Sequence, residues 1–195
     1  MVTSRRLGAE DSSTRLALLD AARALLLEEG YAAVTSRKVA ARAGLKPQLV
    51  HYYFATMDDL FIALVRHGAE LNLERQAKAL ASPDPLRALW EFATDPAGAT
   101  FTMELAALAN HRKAIRAELG SYAERFRALQ AEALASVAAG LGSDLGEVSP
   151  ELVAFLMTAL AQVLVMEEAL GVETGHQDAR ELIARLVDRA AARQR

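Results

Sequence analysis

The stretch that most constrains this chain is Thr35 to Leu60, TSRKVAARAGLKPQLVHYYFATMDDL, which reads as two short helices around a tight turn. Thr35 is placed to cap the first helix, its side-chain oxygen accepting a backbone N–H of the opening turn. Ser36 to Ala43 then runs without a breaker, and Val39 and Ala43, four apart, share one face. Gly44 supplies the left-handed backbone that ends the helix. Pro47 suits the first turn of the next helix, where a missing N–H is no loss, and it pushes Lys46 into an extended conformation. Val50, Tyr53 and Phe54 give the second helix an inner face. The order Ala40, Gly44, Val50 is what a helix-turn-helix needs: a small residue at the crossing, a glycine in the turn, an apolar plug below.

Charge agrees with that geometry. From Tyr31 to Met57 the charged residues are Arg37, Lys38, Arg42 and Lys46, all basic, in a chain of net charge −3. A positive surplus beside a turn between helices is the footprint of a duplex-binding module. The same features also fit a short helical hairpin with a solvated basic face. Position sorts the candidate contacts. Arg37 opens the first short helix, and Pro47, Gln48, Leu49 and His51 lead the second. Arg37, Gln48, Leu49 and His51 are the candidates for base edges, since Arg pairs with guanine, Gln with adenine, and a Leu methyl touches thymine. Thr35, Ser36, Lys46 and Tyr52 are the candidates for phosphates.

Between Gly30 and Leu60 the chain combines Gly30-Tyr31 leading to Thr35, a small-x-Ala-Gly turn at Ala41 to Gly44, a helix ending Tyr52-Tyr53-Phe54, and an acidic-Leu start at Asp58-Asp59-Leu60. This signature resembles that of the TetR/AcrR-type transcriptional regulators, and it lies near the N-terminus as that family places it. Four positions depart from the usual pattern. Lys46 stands where Ser or Thr is common, Gln48 where a small residue is common, and His51 where Tyr is common. Met57 replaces a Lys that touches phosphate in relatives, so the resemblance implies one backbone contact fewer.

The rest of the chain is helical in pattern. At 195 residues it is long enough to bury a sizeable core, and 52% hydrophobic with only 6% aromatic residues favours helices. With no cysteine, neither a disulfide framework nor a thiolate metal site is available. Residues 1–60 hold eight basic and seven acidic side chains, leaving 14 and 18 for the remainder, a basic head ahead of an acidic body. Met1 to Asp11 reads as a frayed arm whose Arg5 and Arg6 are placed to brush phosphate or the minor groove, or equally as a disordered basic tail. A first helix is expected from Ser12 or Ser13, carrying Leu16, Leu19, Leu26 and Leu27 inward. A long lever helix follows from Asp58 to Leu80, and Ser82 to Pro85 breaks the chain.

Further helices are expected over Leu86–Ala93, Thr100–Ala109, Arg112–Ala139 and Pro150–Leu170, then one more after the break at Gly171. In the long one Ile115, Leu119, Tyr122, Phe126 and Leu129 make the core stripe. Fold class is therefore all-α with about nine helices: a DNA-binding domain over 1–57 and a ligand-binding and dimerisation domain over 58–195. The most apolar run, Leu152 to Met166, is shorter than a bilayer span, so the expected protein is soluble and cytoplasmic, with no membrane partner.

Neither catalytic nor metal-ligand spacing emerges among His51, His67, His111 and His176, so the expected protein is no enzyme and needs no cofactor. Its last two helices carry more apolar surface than internal packing needs, which a homodimer would use. The resemblance implies the same pairing. Phe155, Val163 and Met166 from one helix, with Leu182, Ile183, Leu186, Val187 and Ala190 from the other, are the candidate interface. A ligand pocket is expected from Trp90, Phe101, Met103, Leu105 and Leu108, joined by Tyr122, Phe126, Met157 and Leu160. Leu64 and His67 of the lever helix complete that set, and Glu104, His67 and Asn110 are its polar candidates. The expected function is a repressor that binds a palindromic double-stranded operator as a homodimer and leaves it on binding a small apolar or amphipathic effector. The alternatives are an effector-independent DNA binder or activator with the same head, and a helical protein-interaction module.

Overall fold

A computed structural model describes the backbone of residues 3–145 and 148–193, and side chains chiefly over 13–135 and 148–189. Nine α-helices and one short 3-10 turn, Tyr31–Ala33, account for nearly all of it, with no strand among the described residues. In order they are α1 (Thr3–Glu29), α2 (Ser36–Arg42), α3 (Pro47–Tyr53), α4 (Met57–Leu80), α5 (Pro85–Ala93), α6 (Pro96–Ala109), α7 (Lys113–Leu145), α8 (Pro150–Ala169) and α9 (His176–Arg193).

Three boundaries differ from expectation. Helix α1 begins at Thr3, not Ser12, because no proline interrupts the first residues and an interior Gly8 weakens a helix without ending it. Helix α6 begins at Pro96, not Thr100: Pro96 takes the first helical position, and Asp95 Oδ1 accepts the Ala97 N–H at 3.3 Å. Helix α7 runs on through Gly140 and Gly142 to Leu145, where a loop was expected.

The chain forms two compact units, and compactness does not divide it at 57/58. Residues 1–69 with 101–120 make the first; residues 70–100 with 121–195 make the second. The lever helix thus contributes its first half to one unit and its second half to the other.

In the first unit an apolar core gathers Leu18, Leu19, Leu25 and Leu26 of α1 with Val39 and Ala40 of α2, Val50 of α3 and the adjoining Phe54. Leu60, Phe61, Leu64 and Val65 of α4 join it, as do Phe101, Leu105 and Leu108 of α6 and Ile115 of α7. Leu16, expected inside, is 41% exposed, and the inner face of α1 runs through Leu18 and Leu25 instead. Helices α4 and α6 come close enough that only glycine fits at position 68: a Cβ there would lie 2.6 Å from Phe101 Cε1. Glu104 on α6 ties the end of α1 in place, its Oε2 accepting the Tyr31 N–H at 2.8 Å just after the left-handed Gly30. Arg66 on α4 grips Glu118 on α7 through two hydrogen bonds of 2.9 and 2.8 Å, and Arg112 pairs with Asp58 at the start of α4.

A smaller core organises the second unit. Leu86 and Leu89 of α5, Leu134 of α7, Ala154 of α8 and Val187 of α9 are its buried members, with Met157 and Ile183 packed against them. Capping fixes the helix starts: Asp84 accepts the Arg87 N–H at 3.2 Å, and Ser149 accepts the Leu152 N–H at 3.1 Å ahead of Pro150. One expected core position moves: Leu129 of α7 is 42% exposed, while Gln130 beside it is buried, as is Gln76 of α4.

Candidate functional site

Local chemistry sets the geometry of α2 and α3 much as their sequence dictates. Thr35 is extended (φ −118°, ψ 154°) and its Oγ1 accepts the Lys38 N–H at 3.3 Å, capping α2. Gly44 is left-handed with φ 68°, and the Leu45 N–H returns to the Ala40 carbonyl at 2.8 Å, closing the turn. Lys46 is extended before Pro47, which opens α3. On α3, Val50 and the C-terminal Phe54 are 1% and 3% exposed and anchor the helix to the core. Pro47, Gln48, His51 and Tyr52 stand on the exposed side, Tyr52 at 70%. Leu49 and Ser36 are half-buried; Thr35, Arg37 and Lys46 are exposed. The nine candidate DNA contacts thus carry no fully buried side chain, and the apolar face of α3 lies opposite its polar one.

Electrostatics revises one part of the sequence reading. Lys38 Nζ pairs with Glu29 Oε2 at 2.6 Å, and Arg42 forks onto both carboxylate oxygens of Glu28 at 2.5 and 2.7 Å. That hydrogen bond from Arg42 is the main cause holding the Glu28 carboxyl below its ordinary range. Glu28 and Glu29 sit at the negative C-terminal end of α1, where carboxylates are disfavoured, so the α2 cations compensate that end. Two of the four local cations are therefore spent inside the head, and of those four Arg37 and Lys46 carry no ion pair among the described residues. Met57, where the resemblance implies one phosphate contact fewer, points its side chain to the protein. It is half-buried against the first unit's core.

Residues 18–64 match the family model for bacterial regulatory proteins of the tetR family. An HTH-type transcriptional regulator, BetI, of Rhizobium meliloti (strain 1021) is 42% identical over 52 residues, a match spanning 27% of this chain and 26% of that relative. Over this head the chain is similar to the TetR family, and it spans about a quarter of the length of that relative. The likeness in fold runs further than the likeness in sequence. A solved structure assigned to TetR-family transcriptional regulators, from Rhodococcus sp., superposes with a TM-score of 0.72 at 22% identity, over 92% of this chain and 99% of that one. A transcriptional regulator from Saccharomonospora viridis, solved in complex with choline, gives 0.71 at 18% identity, over 92% and 94%. At such identities these two establish the TetR-like helical fold.

The candidate ligand residues divide between the units. In the first, Leu64, Phe101, Leu105 and Leu108 are 0–5% exposed and belong to the apolar core. Glu104 is engaged with Tyr31, His67 lies 3.7 Å from Asp20, and Met103 and Asn110 are exposed. In the second, Trp90, Tyr122, Phe126, Met157 and Leu160 are all half-buried. There Phe126 sits between Tyr122 and Phe92, at ring separations of 5.8 and 5.9 Å. Burial raises the Tyr122 phenol above its ordinary value, partly opposed by a hydrogen bond with Asn72. The sequence reading passed over Phe92, Gln76 and Gln130, all three on this unit's inner side. Polar Gln76 and Gln130 carried no apolar signal, although Gln130 lies four residues after Phe126 of the stripe before it.

The candidate interface residues also part company. Phe155, Val163, Met166 and Leu182 are 39–53% exposed, and Leu152, Leu156 and Leu170 extend the same surplus on α8 and its end. Val187 is 8% exposed and in the core, Ile183 packs on that core, and Leu186 is half-buried. Ala190 lies outside the described side chains. Helix α8 is long and apolar enough by composition to cross a membrane, contrary to the shorter run read from sequence. Yet Ala154, Ala161, Leu164 and Val165 hold one of its faces inside the second unit.

Proposed function

We propose that this chain is a ligand-responsive transcriptional repressor that binds a palindromic operator as a homodimer, with a DNA-contacting head over 1–57 and an effector and dimerisation body over 58–195. The observation that carries the proposal is α3, whose Gln48, His51 and Tyr52 stand free over a buried Val50 and Phe54. In this reading Arg37, Gln48, Leu49 and His51 meet base edges while Thr35, Ser36, Lys46 and Tyr52 meet phosphates. Two such helices read a palindrome when a dimer holds them about 34–36 Å apart. The exposed apolar residues of α8 and α9 supply the surface for that dimer. The choline complex of the Saccharomonospora structure supports a small-molecule effector for this fold. A DNA-binding protein of this kind works in the cytoplasm, where the chromosome is.

Gel-shift titration against the DNA upstream of its own reading frame tests the proposal. The expected complex is sequence-selective and weakens with salt, with a log–log slope of about −0.9 per phosphate neutralised. Gln48→Ala should cost about 1–3 kcal/mol per half-site and relax one operator position. Absence of any selective complex would leave a protein-interaction module as the better reading. Effector response is read by calorimetry with and without operator. Linkage requires the operator to weaken effector binding by the factor, about 5–150, by which the effector weakens the operator. Equal affinities in the two titrations would leave an effector-independent DNA binder.

A further inference from the structure

We propose that the body's small-molecule site centres on Gln76 and Gln130, where α4, α7 and α8 meet, and takes a neutral molecule carrying a hydroxyl or carboxamide on an apolar body. This rests on the ligand-responsive reading above and gives its effector a chemical class. Gln76 and Gln130 are 0% and 1% exposed, and each amide satisfies only one of its two ends. Gln76 Nε2 donates to the Phe126 carbonyl at 3.4 Å, and its Oε1 is buried with no partner. Gln130 Oε1 accepts from Thr158 Oγ1 at 3.1 Å, and its Nε2 is buried with no partner.

The two unmet ends are complementary, one acceptor and one donor. They are also close along the helix, since Gln76 holds the carbonyl of Phe126 and Gln130 lies one turn beyond it on α7. A buried polar end left unpaired is unfavourable, and in a native seam it calls for a reason. Leucine or methionine would fill either position without that cost. A single hydroxyl answers both ends, donating to Gln76 Oε1 while accepting from Gln130 Nε2; a primary carboxamide does so with its N–H and C=O. The rings of Phe92, Tyr122 and Phe126 offer the apolar wall beside them.

Charge argues against a cation. The Arg75 guanidinium already lies 5.2 Å over the Phe92 ring, and the Asp95 carboxylate that balances it is engaged at 2.9 Å. Arg127, three residues before Gln130, has its guanidinium 5.2 Å over the Phe155 ring and its Nη1 buried without a hydrogen bond, a further positive group on the same helix. A quaternary ammonium would meet that positive field.

The test uses the full-length protein and four probes: benzyl alcohol, benzamide, toluene and choline, each titrated by calorimetry and by thermal shift. Benzyl alcohol and benzamide should raise the melting temperature and bind about tenfold or more tighter than toluene, which shares the ring but offers no hydrogen bond. Gln76→Met and Gln130→Met, near in length to the natural side chain, should abolish that preference and melt no lower than the parent. Choline binding as tightly as benzyl alcohol would overturn the proposal. So would a preference over toluene that survives both substitutions, or Met variants that melt lower while no probe shifts the parent. The toluene comparison needs no variant, so it decides even if a substitution prevents folding. None of these readouts involves DNA: probes that bind a protein unable to form an operator complex leave this site standing, whereas an operator released by some other effector, with no neutral probe bound, removes it alone.

Discussion

The two units of this chain solve the problem of polar groups in opposite ways. Among the described residues, every buried polar side chain (Gln76, Gln130 and His176) belongs to the second unit. So does every buried side-chain atom among them that lacks a hydrogen bond. Among its described residues the first unit buries apolar side chains only and settles charges in pairs at the rim, as Arg42 with Glu28 and Arg66 with Glu118. Exposed apolar surface divides the same way: the first unit shows Leu16, Tyr52 and Met103, whereas the second shows ten such residues, most of them on α8 and around its end. A unit that satisfies itself can be carried as a rigid piece. A unit left with unmet groups inside and unmet apolar faces outside still has surface and polar atoms for partners to satisfy.

The strongest way to break the contrast is to hollow the first unit. Leu105→Ala should cost about 2–5 kcal/mol in denaturant unfolding, because Leu105 is 1% exposed among core neighbours. A small loss with altered probe binding would instead return Leu105 to the ligand residues. In the second unit, Phe155→Glu together with Leu182→Glu should weaken self-association by about 2 kcal/mol or more, since both are 48–53% exposed in the single chain. Sedimentation of the proposed dimer would show the mass halve at micromolar protein; an unchanged mass would remove these two residues from any dimer contact.

Close approach of α4 and α6 gives the next test. Gly68→Ala should destabilise by about 1–3 kcal/mol, since the new methyl meets Phe101 at 2.6 Å. Gly120→Ala, with open space at its Cβ, should instead stabilise by about 0.5–1 kcal/mol. Alkaline titration sharpens the contrast from the other side. Burial raises the Tyr122 phenol above its ordinary value of 10.0, so its contribution is fully present below that pH and lost as pH climbs through the raised folded-state value. Tyr122→Phe should remove that part of the alkaline loss, and an identical pH profile would mean the phenol is not shielded in solution.

The smallest effect concerns the head's own clamp. Hydrogen bonding from Arg42 depresses the Glu28 carboxyl, so its contribution is present above the ordinary value of 4.5 and lost as pH falls through the depressed one. Glu28→Gln should flatten that acid limb slightly while releasing Arg42, which makes sequence-independent DNA binding more salt-dependent if the freed cation reaches a phosphate. An unaltered salt slope would confine Arg42 to packing.

By itself the sequence determined the parts of this protein that depend on near neighbours. Thr35 as a cap, Gly44 as a left-handed stop, Pro47 as a helix start and Val50 as an inward plug follow from backbone sterics and hydrogen bonds within a few residues, and all four are realised. The Thr56 to Asp59 capping box that opens α4 is equally local. What it left open depended on which other helix arrives. One residue along a helix turns the side chain by about 100°, so a stripe read from apolar letters chose Leu129, whereas packing in the second unit chose Gln130 beside it. Likewise four basic letters in a row of sequence gave a positive head, until Glu28 and Glu29, brought alongside by the crossing of α1 and α2, took two of them. Local chemistry is written in adjacent residues; burial and pairing are properties of surfaces that meet only when the chain has folded.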